Sequence, residues 1–287
     1  MNSIKPQKIL LVGSSGFLGS ALAKGLNADR FAVDFAGRQQ LDLSKPIPAE
    51  FARGLKNKKY QYVVNCAAIT NVEQCFNDQA LSHNVNVRGT QDLLALARDS
   101  GATPVFFSSD YVFSGKTTPY LETDSRNPLT VYGQQKLAVE KYLENSFDKY
   151  LIFRTSKLIS KDAHPKNILY PIIQNLAASK TSQCFEDQLL NPVFVEDIAE
   201  VLKSAFARDL TGAFHLGTRR IFTRAELGRF VATSLGYDKH LIESIFMTQI
   251  KFSEPRPNNN SLYCQKIEEA LNYRFCEIEA GLPTVLF

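Results

Sequence analysis

The sequence is short of the residues by which many chemistries announce themselves. Its five cysteines, Cys66, Cys75, Cys184, Cys264 and Cys276, are odd in number, widely scattered and never form a C-x-x-C pair. The four histidines, His83, His164, His215 and His240, make no ligand cluster with them. Structural zinc and a disulfide framework are therefore both disfavoured, and no metal is expected. No stretch approaches the ~20 apolar residues that cross a bilayer, so no membrane partner is expected. The opening MNSIKPQKILLVGSSG shows neither an apolar signal core nor a small-residue cleavage site, which makes the cytoplasm the expected compartment. Behind a net charge of +4 there is no block of Lys and Arg. A nucleic-acid partner lacks support, and an anionic small ligand suffices to explain the bias.

What is present is an ordinary globular composition. Over 287 residues, 44% hydrophobic and 22% charged, the chain can bury a sizeable core and suits one large domain or one and a half. Lys8 to Val12 reads as a strand and is followed at once by glycines at 13, 16 and 19. That spacing leaves room for a tight turn and aims the next helix's N–H groups at a phosphate. Gly13, Ser15, Gly16, Phe17 and Leu18 are the candidate residues there. Phe31 to Ala36 reads as a second strand, with Arg38 placed to pair with a 2′-phosphate. The alternatives are a solvated Arg38, or Asp34 as the ribose acid if the strand ends early. Asp42 and Leu43 would edge the adenine. A third strand, Tyr60 to Asn65, ends in small residues at Ala67 and Ala68 that let a ligand lie against the backbone. Helix is expected from about Ser82 to Asp99.

The organising stretch is Val105 to Lys136. A buried strand, Val105 to Ser108, breaks into Ser109 and Asp110, and a helix then carries Tyr132 and Lys136 four residues apart on one face. An ammonium beside a phenol lowers the phenol pKa, and moving it from ~10 to ~7 needs roughly 4 kcal/mol. Ser109 would offer a second donor to the same oxygen, as hydride chemistry at a carbonyl requires. Tyr150 to Arg154 makes a fifth strand. Alternating strands and helices predict an α/β fold: a Rossmann-like doubly wound parallel sheet with a smaller α+β C-terminal substrate domain. The expected boundaries are 1–155 for the cofactor domain, with 193–208 packing back on it, and 156–192 plus 209–287 for the substrate domain. In that second part Asn167 to Ala178 reads as helix, Cys184 to Val195 as strand-like, and Thr223 as the cap of a helix with Glu226 at capping-box distance.

Taken together, GSSGFLG, VVNCAAITNVEQC, NVNVRGT, SSDYVFSG, PLTVYGQQKLAVEKY, YLIFRTS and RPNNN resemble the extended short-chain dehydrogenase/reductases, and among them the dTDP-4-dehydrorhamnose reductase family. The resemblance implies NAD(P)H-dependent reduction of the 4-keto group of a nucleotide-diphosphate deoxysugar. It implies Tyr132 as acid, Lys136 as its partner and ribose ligand, and Ser109 as carbonyl polariser. Ala67, Ala68, Ile69, Thr70 and Ser108 would line the cofactor, which is expected to be NADPH with NADH as the alternative. Ser109, Asp110, Tyr111, Lys157, Gln188, Asn191 and Arg256 would meet the sugar nucleotide, although Arg256 between two prolines also reads as a plain surface arginine. Ser109 stands where the family usually has Thr. Lys157 stands where it commonly has tryptophan, a residue this chain lacks altogether. The loop reads DQLLNPV rather than D-Q-x-G-x-P-T. A homodimer is left open. Two competing readings share the fold: an NAD-dependent sugar-nucleotide epimerase, and a cofactor-binding regulatory subunit resembling that of methionine adenosyltransferase.

Overall fold

A computed structural model describes residues 6–26, 30–116 and 119–282. The outer limits of the expected domains, at 1–5 and 283–287, lie outside the described residues. Six strands form the central sheet: β1 (Gln7–Val12), β2 (Phe31–Ala36), β3 (Tyr62–Asn65), β4 (Thr103–Ser109), β5 (Leu151–Thr155) and β6 (Gly212–Leu216). Their order is β6-β5-β4-β3-β1-β2 and every pairing is parallel.

The apolar runs have no polar alternation because both faces of the sheet are covered. Ile9 and Leu11 of β1 join one core with Phe107, Phe153 and Val195. Leu10 and Val12 point the other way, into a core with Val63, Leu93 and Ala97. The chain leaves β1 towards β2 on one side and returns to β3 on the other, and ligands of such sheets sit at that reversal.

Several expectations need correction. Residues 212–216 pair with β5 in the central sheet, and Leu262, Ile267 and Leu271 pack beneath it, so a substrate domain beginning at 209 is misplaced. The five-residue strand extends the existing sheet as an edge strand, pairing along its whole length with β5. The strand-like run from Cys184 to Val195 is three short pieces with three partners. Ser182–Phe185 pairs with Ile242–Ile245, Leu189–Leu190 with Phe222–Thr223, and Val193–Phe194 with Leu158–Ile159. Pro192 breaks the run by removing a ladder donor. The helix expected from Ser82 begins at Gln79, passes through a π-helical segment at Asn84–Gly89, and continues as Thr90–Asp99. Gly89 is required there, since a Cβ would lie 2.0 Å from the Leu43 carbonyl oxygen.

Helix Val131–Ser146 is the element on which the site depends. Thr130 caps it, accepting from Gly133 N. One turn beyond Lys136 its Glu140 is sealed from water and takes two hydrogen bonds from Arg154 of β5, Nε to Oε1 at 3.0 Å and Nη2 to Oε2 at 2.9 Å. Arg126 adds a third at 2.8 Å and forks onto Glu144. Arg154 also meets Nε2 of His215, 3.2 Å away. Burial, with Arg154 beside it, pushes His215 down to about 3, so its imidazole is neutral and can accept there while Nδ1 donates to the Tyr120 carbonyl.

Removing one side of a buried pair strands the other charge. Glu140→Gln is expected to lower unfolding free energy by about 3–5 kcal/mol in urea denaturation, whereas loss of the exposed Lys149–Asp209 pair should cost under about 1 kcal/mol. A Glu140→Gln protein as stable as the parent would show that the pair does not anchor the helix.

Candidate active site

The carboxyl ends of β1, β3, β4 and β5 meet at one edge. After β1, Gly13 turns with φ +78°, and a Cβ there would lie 2.6 Å from Ala67 N, so only glycine lets the first loop press against the end of β3. Gly16 starts helix Phe17–Gly25, whose first amides have no side-chain cap and no acidic residue in the first turn. These unclaimed donors face outward from a loop whose Ser15 is exposed. Phe17 and Leu18 turn their side chains into the core, so they can serve a ligand only through the backbone.

The end of β3 is held rigidly. Asn86, on the π-helical segment, accepts from Ile69 N at 2.8 Å and donates to Ile69 O at 2.9 Å, clamping the backbone of one residue through both of its polar groups. Its amide also donates to Gln135, which in turn donates to Ser82. Asn65 caps Ala67 N at 2.9 Å. Ala67, Ala68, Ile69 and Thr70 thereby present a fixed, partly exposed backbone edge. Gln135 was not expected. Its signal was a polar residue on the buried face of a helix, directly before Lys136.

At the β2 end Arg38 is largely exposed and lies 3.5 Å from Asp42. The Ser44 hydroxyl and amide, ahead of Arg38, hold the Asp42 carboxyl below its usual range. Leu43 is buried. Asp34 is corrected as a ribose ligand: its carboxylate is bound by Lys58 at 2.7 Å and Tyr60 at 2.6 Å, and it lies two residues before the strand's end.

The reacting groups gather at the end of β4. The Ser109 hydroxyl donates a hydrogen bond to Asp110 at 2.7 Å and accepts one from Tyr111 N at 3.2 Å. It also stands close enough to the Tyr132 phenol to act on its ionisation. The rings of Tyr111 and Tyr132 stand edge to face, 6.0 Å apart. Lys136 donates to the Phe107 carbonyl at 2.8 Å and sits over the Phe106 ring. That bond occupies one of the ammonium's three donors. Ser108 is buried with a hydroxyl that has no partner among the described residues. An unsatisfied hydroxyl, spare ammonium donors, uncapped helix amides and the Gly13 approach together fit a dinucleotide lying along this edge.

The expected lowering of the phenol pKa is not found. Burial drives Tyr132 far above its ordinary value, Asp110 drives it further, and Ser109 opposes them only in part. Lys136 turns to the Phe107 carbonyl, its nitrogen 5.8 Å from the Tyr132 ring centre, and burial pushes it down to about 8. Burial likewise raises Asp110 against the pull of Lys157.

The other predicted substrate residues divide. Lys157 lies over the Tyr111 ring at 5.0 Å, and Gln188 is buried nearby on the loop that meets Arg224. Asn191 is corrected: it is wholly buried, and its amide is consumed by the Thr218 and Leu262 carbonyls and by Leu262 N. It ties two loops together and has nothing left for a ligand. Arg256 is not a free surface arginine, being ion-paired with Glu73 and stacked over Phe252. Two residues before it, Glu254 accepts from Val131 N at 2.8 Å and so satisfies the first amide of the Tyr132 helix. Among the described residues no helix is long and apolar enough to cross a membrane.

Comparison with known proteins agrees with this geometry. Residues 7–287 match the RmlD substrate binding domain. A dTDP-4-dehydrorhamnose reductase of Burkholderia thailandensis is 33% identical over 215 residues, 73% of this chain and 70% of that protein. The crystal structure of a dTDP-4-dehydrorhamnose reductase ortholog from Clostridium acetobutylicum superposes with a TM-score of 0.88 at 26% identity, over 97% of this chain and 98% of that one. The Bacillus anthracis dTDP-4-dehydrorhamnose reductase, solved in complex with NADP, shares the fold with a TM-score of 0.90 at 21% identity over 98% of both chains. A Gly-rich turn against β3, a serine ending β4 and a Tyr–Lys helix are thus set in a frame held in common with these enzymes, and the chain belongs to the RmlD substrate-binding-domain family.

Proposed function

We propose that this protein reduces the 4-keto group of a dTDP-linked deoxysugar, with NADPH as the hydride source. The observation that carries the reading is the meeting of Ser109 and the buried Tyr132 at the end of β4, beside an edge fitted for a dinucleotide. Bound there, the cofactor supplies hydride. The chain's own residues do the rest. The Gly13 turn and the amides of the Phe17 helix receive the pyrophosphate, and Arg38 reaches for a 2′-phosphate. Ser108 and the spare donors of Lys136 hold the nicotinamide ribose. Tyr132 carries a proton at every pH near neutrality and gives it to the carbonyl oxygen, which is the direction of transfer that reduction requires. Residues 156–192 and those after β6 supply the wall over the sugar, with Lys157 above Tyr111.

Against a dehydratase stands the single acid after the serine, since Asp110 is followed by Tyr111. Against a purely regulatory role stands the complete Ser109, Tyr132 and Lys136 set.

Three outcomes are expected. Tyr132→Phe should lower NADPH oxidation with dTDP-4-dehydrorhamnose at least ~10²-fold while leaving cofactor affinity unchanged in a binding titration. A parent protein that turns over no 4-keto sugar nucleotide would sink the reductase reading. Arg38→Ala should weaken NADPH roughly 5- to 100-fold more than NADH, and equal affinity of the parent for both cofactors would remove Arg38 from the site. Because burial raises the folded phenol above its ordinary ~10, ultraviolet difference titration between about pH 6 and 9 should show no tyrosinate from Tyr132. A step in that window that vanishes in Tyr132→Phe would show that Lys136 does tune the phenol.

A further inference from the structure

Helix Val131–Ser146 has two acceptors at its start. Its own Thr130 accepts from Gly133 N at 3.0 Å, the local cap that keeps a helix end folded. The second comes from 123 residues further on, where Glu254 Oε2 takes the Val131 amide at 2.8 Å. Glu254 is buried, and its other carboxylate oxygen has no partner among the described residues. Stabilising a helix end does not require this. A solvated acid near the first turn would serve the helix dipole without the desolvation. What a buried acceptor adds is placement, because its bond is directional and no water can replace it.

Tyr132 is the next residue. It clusters with Tyr111 and Cys75, and Val131, Val72 and Ile69 pack against that cluster. Glu254 is held in its turn. Arg256 pairs with Glu73 on helix Val72–Asn77, which carries Val72 and Cys75. Asn258 bonds the loop around Gln188 twice, its side chain donating to Asp187 at 3.3 Å and its carbonyl accepting from Leu189 N at 2.7 Å. One short segment thus joins the tyrosine's helix, the helix after the β3 edge and the loop predicted to meet the sugar. We infer that Glu254 is a positioning residue for Tyr132. It fixes the first turn of the helix so that the phenol stands where proton delivery needs it, and it acts on the reaction only through that turn. The assignment rests on the reductase reading above. A displacement of about 1 Å at a reacting group can lower a rate ~10²-fold, while Thr130 still keeps the helix formed.

The test compares Glu254→Ala, Glu254→Gln and Glu254→Asp in the full-length protein with NADPH and dTDP-4-dehydrorhamnose. Glu254→Ala should lower kcat roughly 10- to 100-fold with KM for both substrates within about twofold. Its solvent deuterium isotope effect on kcat should grow, as proton delivery becomes the slow step. Glu254→Gln keeps an acceptor for the Val131 amide and should stay within about threefold of the parent. Glu254→Asp keeps the charge but is one methylene short, and should reproduce the loss even where alanine is too unstable to assay. Arg256→Met, which frees the segment from Glu73, should add nothing to Glu254→Ala, since both act through one bond. Amide hydrogen exchange over residues 131–136 needs no turnover; it should rise in the alanine and aspartate variants and not in the glutamine one. Parent-like kcat in Glu254→Ala and Glu254→Asp overturns the assignment. So does an equal loss in Glu254→Gln, or a loss carried by KM with an unchanged isotope effect. A parent that turns over no 4-keto sugar nucleotide, but whose exchange responds as expected, sinks the reductase reading and keeps Glu254 as the holder of the tyrosine's turn. Unchanged exchange sinks the assignment whatever the parent turns over.

Discussion

A carboxylate and a guanidinium sealed from water hold the catalytic helix to the sheet. Taking Glu140 and Arg154 out of solvent costs several kcal/mol for each ion, and only their two-point contact, with Arg126 and the neutral ring of His215, offsets that cost. A hydrophobic contact could have held the helix as firmly. It could not have fixed rotation and register as narrowly, because a forked ion pair tolerates one geometry. Everything the site does follows from that fixity. Lys136, one turn away, can then bond the Phe107 carbonyl, Gln135 can meet Asn86, and Tyr132 can face Ser109.

Within the site, desolvation outweighs charge. The phenol and the ammonium are both buried, and each is driven towards its neutral form. A Tyr–Lys pair on one helix face therefore does not by itself yield a phenolate. It yields an acid that keeps its proton until an oxygen with developing charge is presented. Asp110, accepting a hydrogen bond from Ser109, adds negative character behind the serine and further disfavours ionisation of Tyr132.

The sheet was legible in the sequence because β1, β3, β4 and β5 are mostly apolar, mostly buried runs, each ended by a glycine or small residue, while β2 kept an apolar run despite being an exposed edge. The sixth, Gly212–Leu216, was assigned to the wrong body, since a short run beside unfamiliar loops carries no sign of which sheet it will join. Ser109, Tyr132 and Lys136 stood out through their order after a strand. Asn191 misled because a loop asparagine beside proline looks the same whether its amide meets substrate or backbone. Asp34 misled through its position near a strand end, where Tyr60 and Lys58 had already claimed it.

The contact between Glu254 and Val131 N joins two segments 123 residues apart in the chain. The helix that carries the reacting tyrosine begins on a carboxylate supplied by a loop about 120 residues later, and the adjoining Arg256 grips the helix that follows the β3 edge. Specificity in such a protein is not a cassette. Exchanging the late segments for those of a relative, in order to graft a new sugar preference, would also exchange the group that seats the proton donor. Recombination at the apparent seam is thus penalised in the catalytic step as well as in binding, and changes of substrate are better reached by point substitution on the facing wall than by swapping the wall itself.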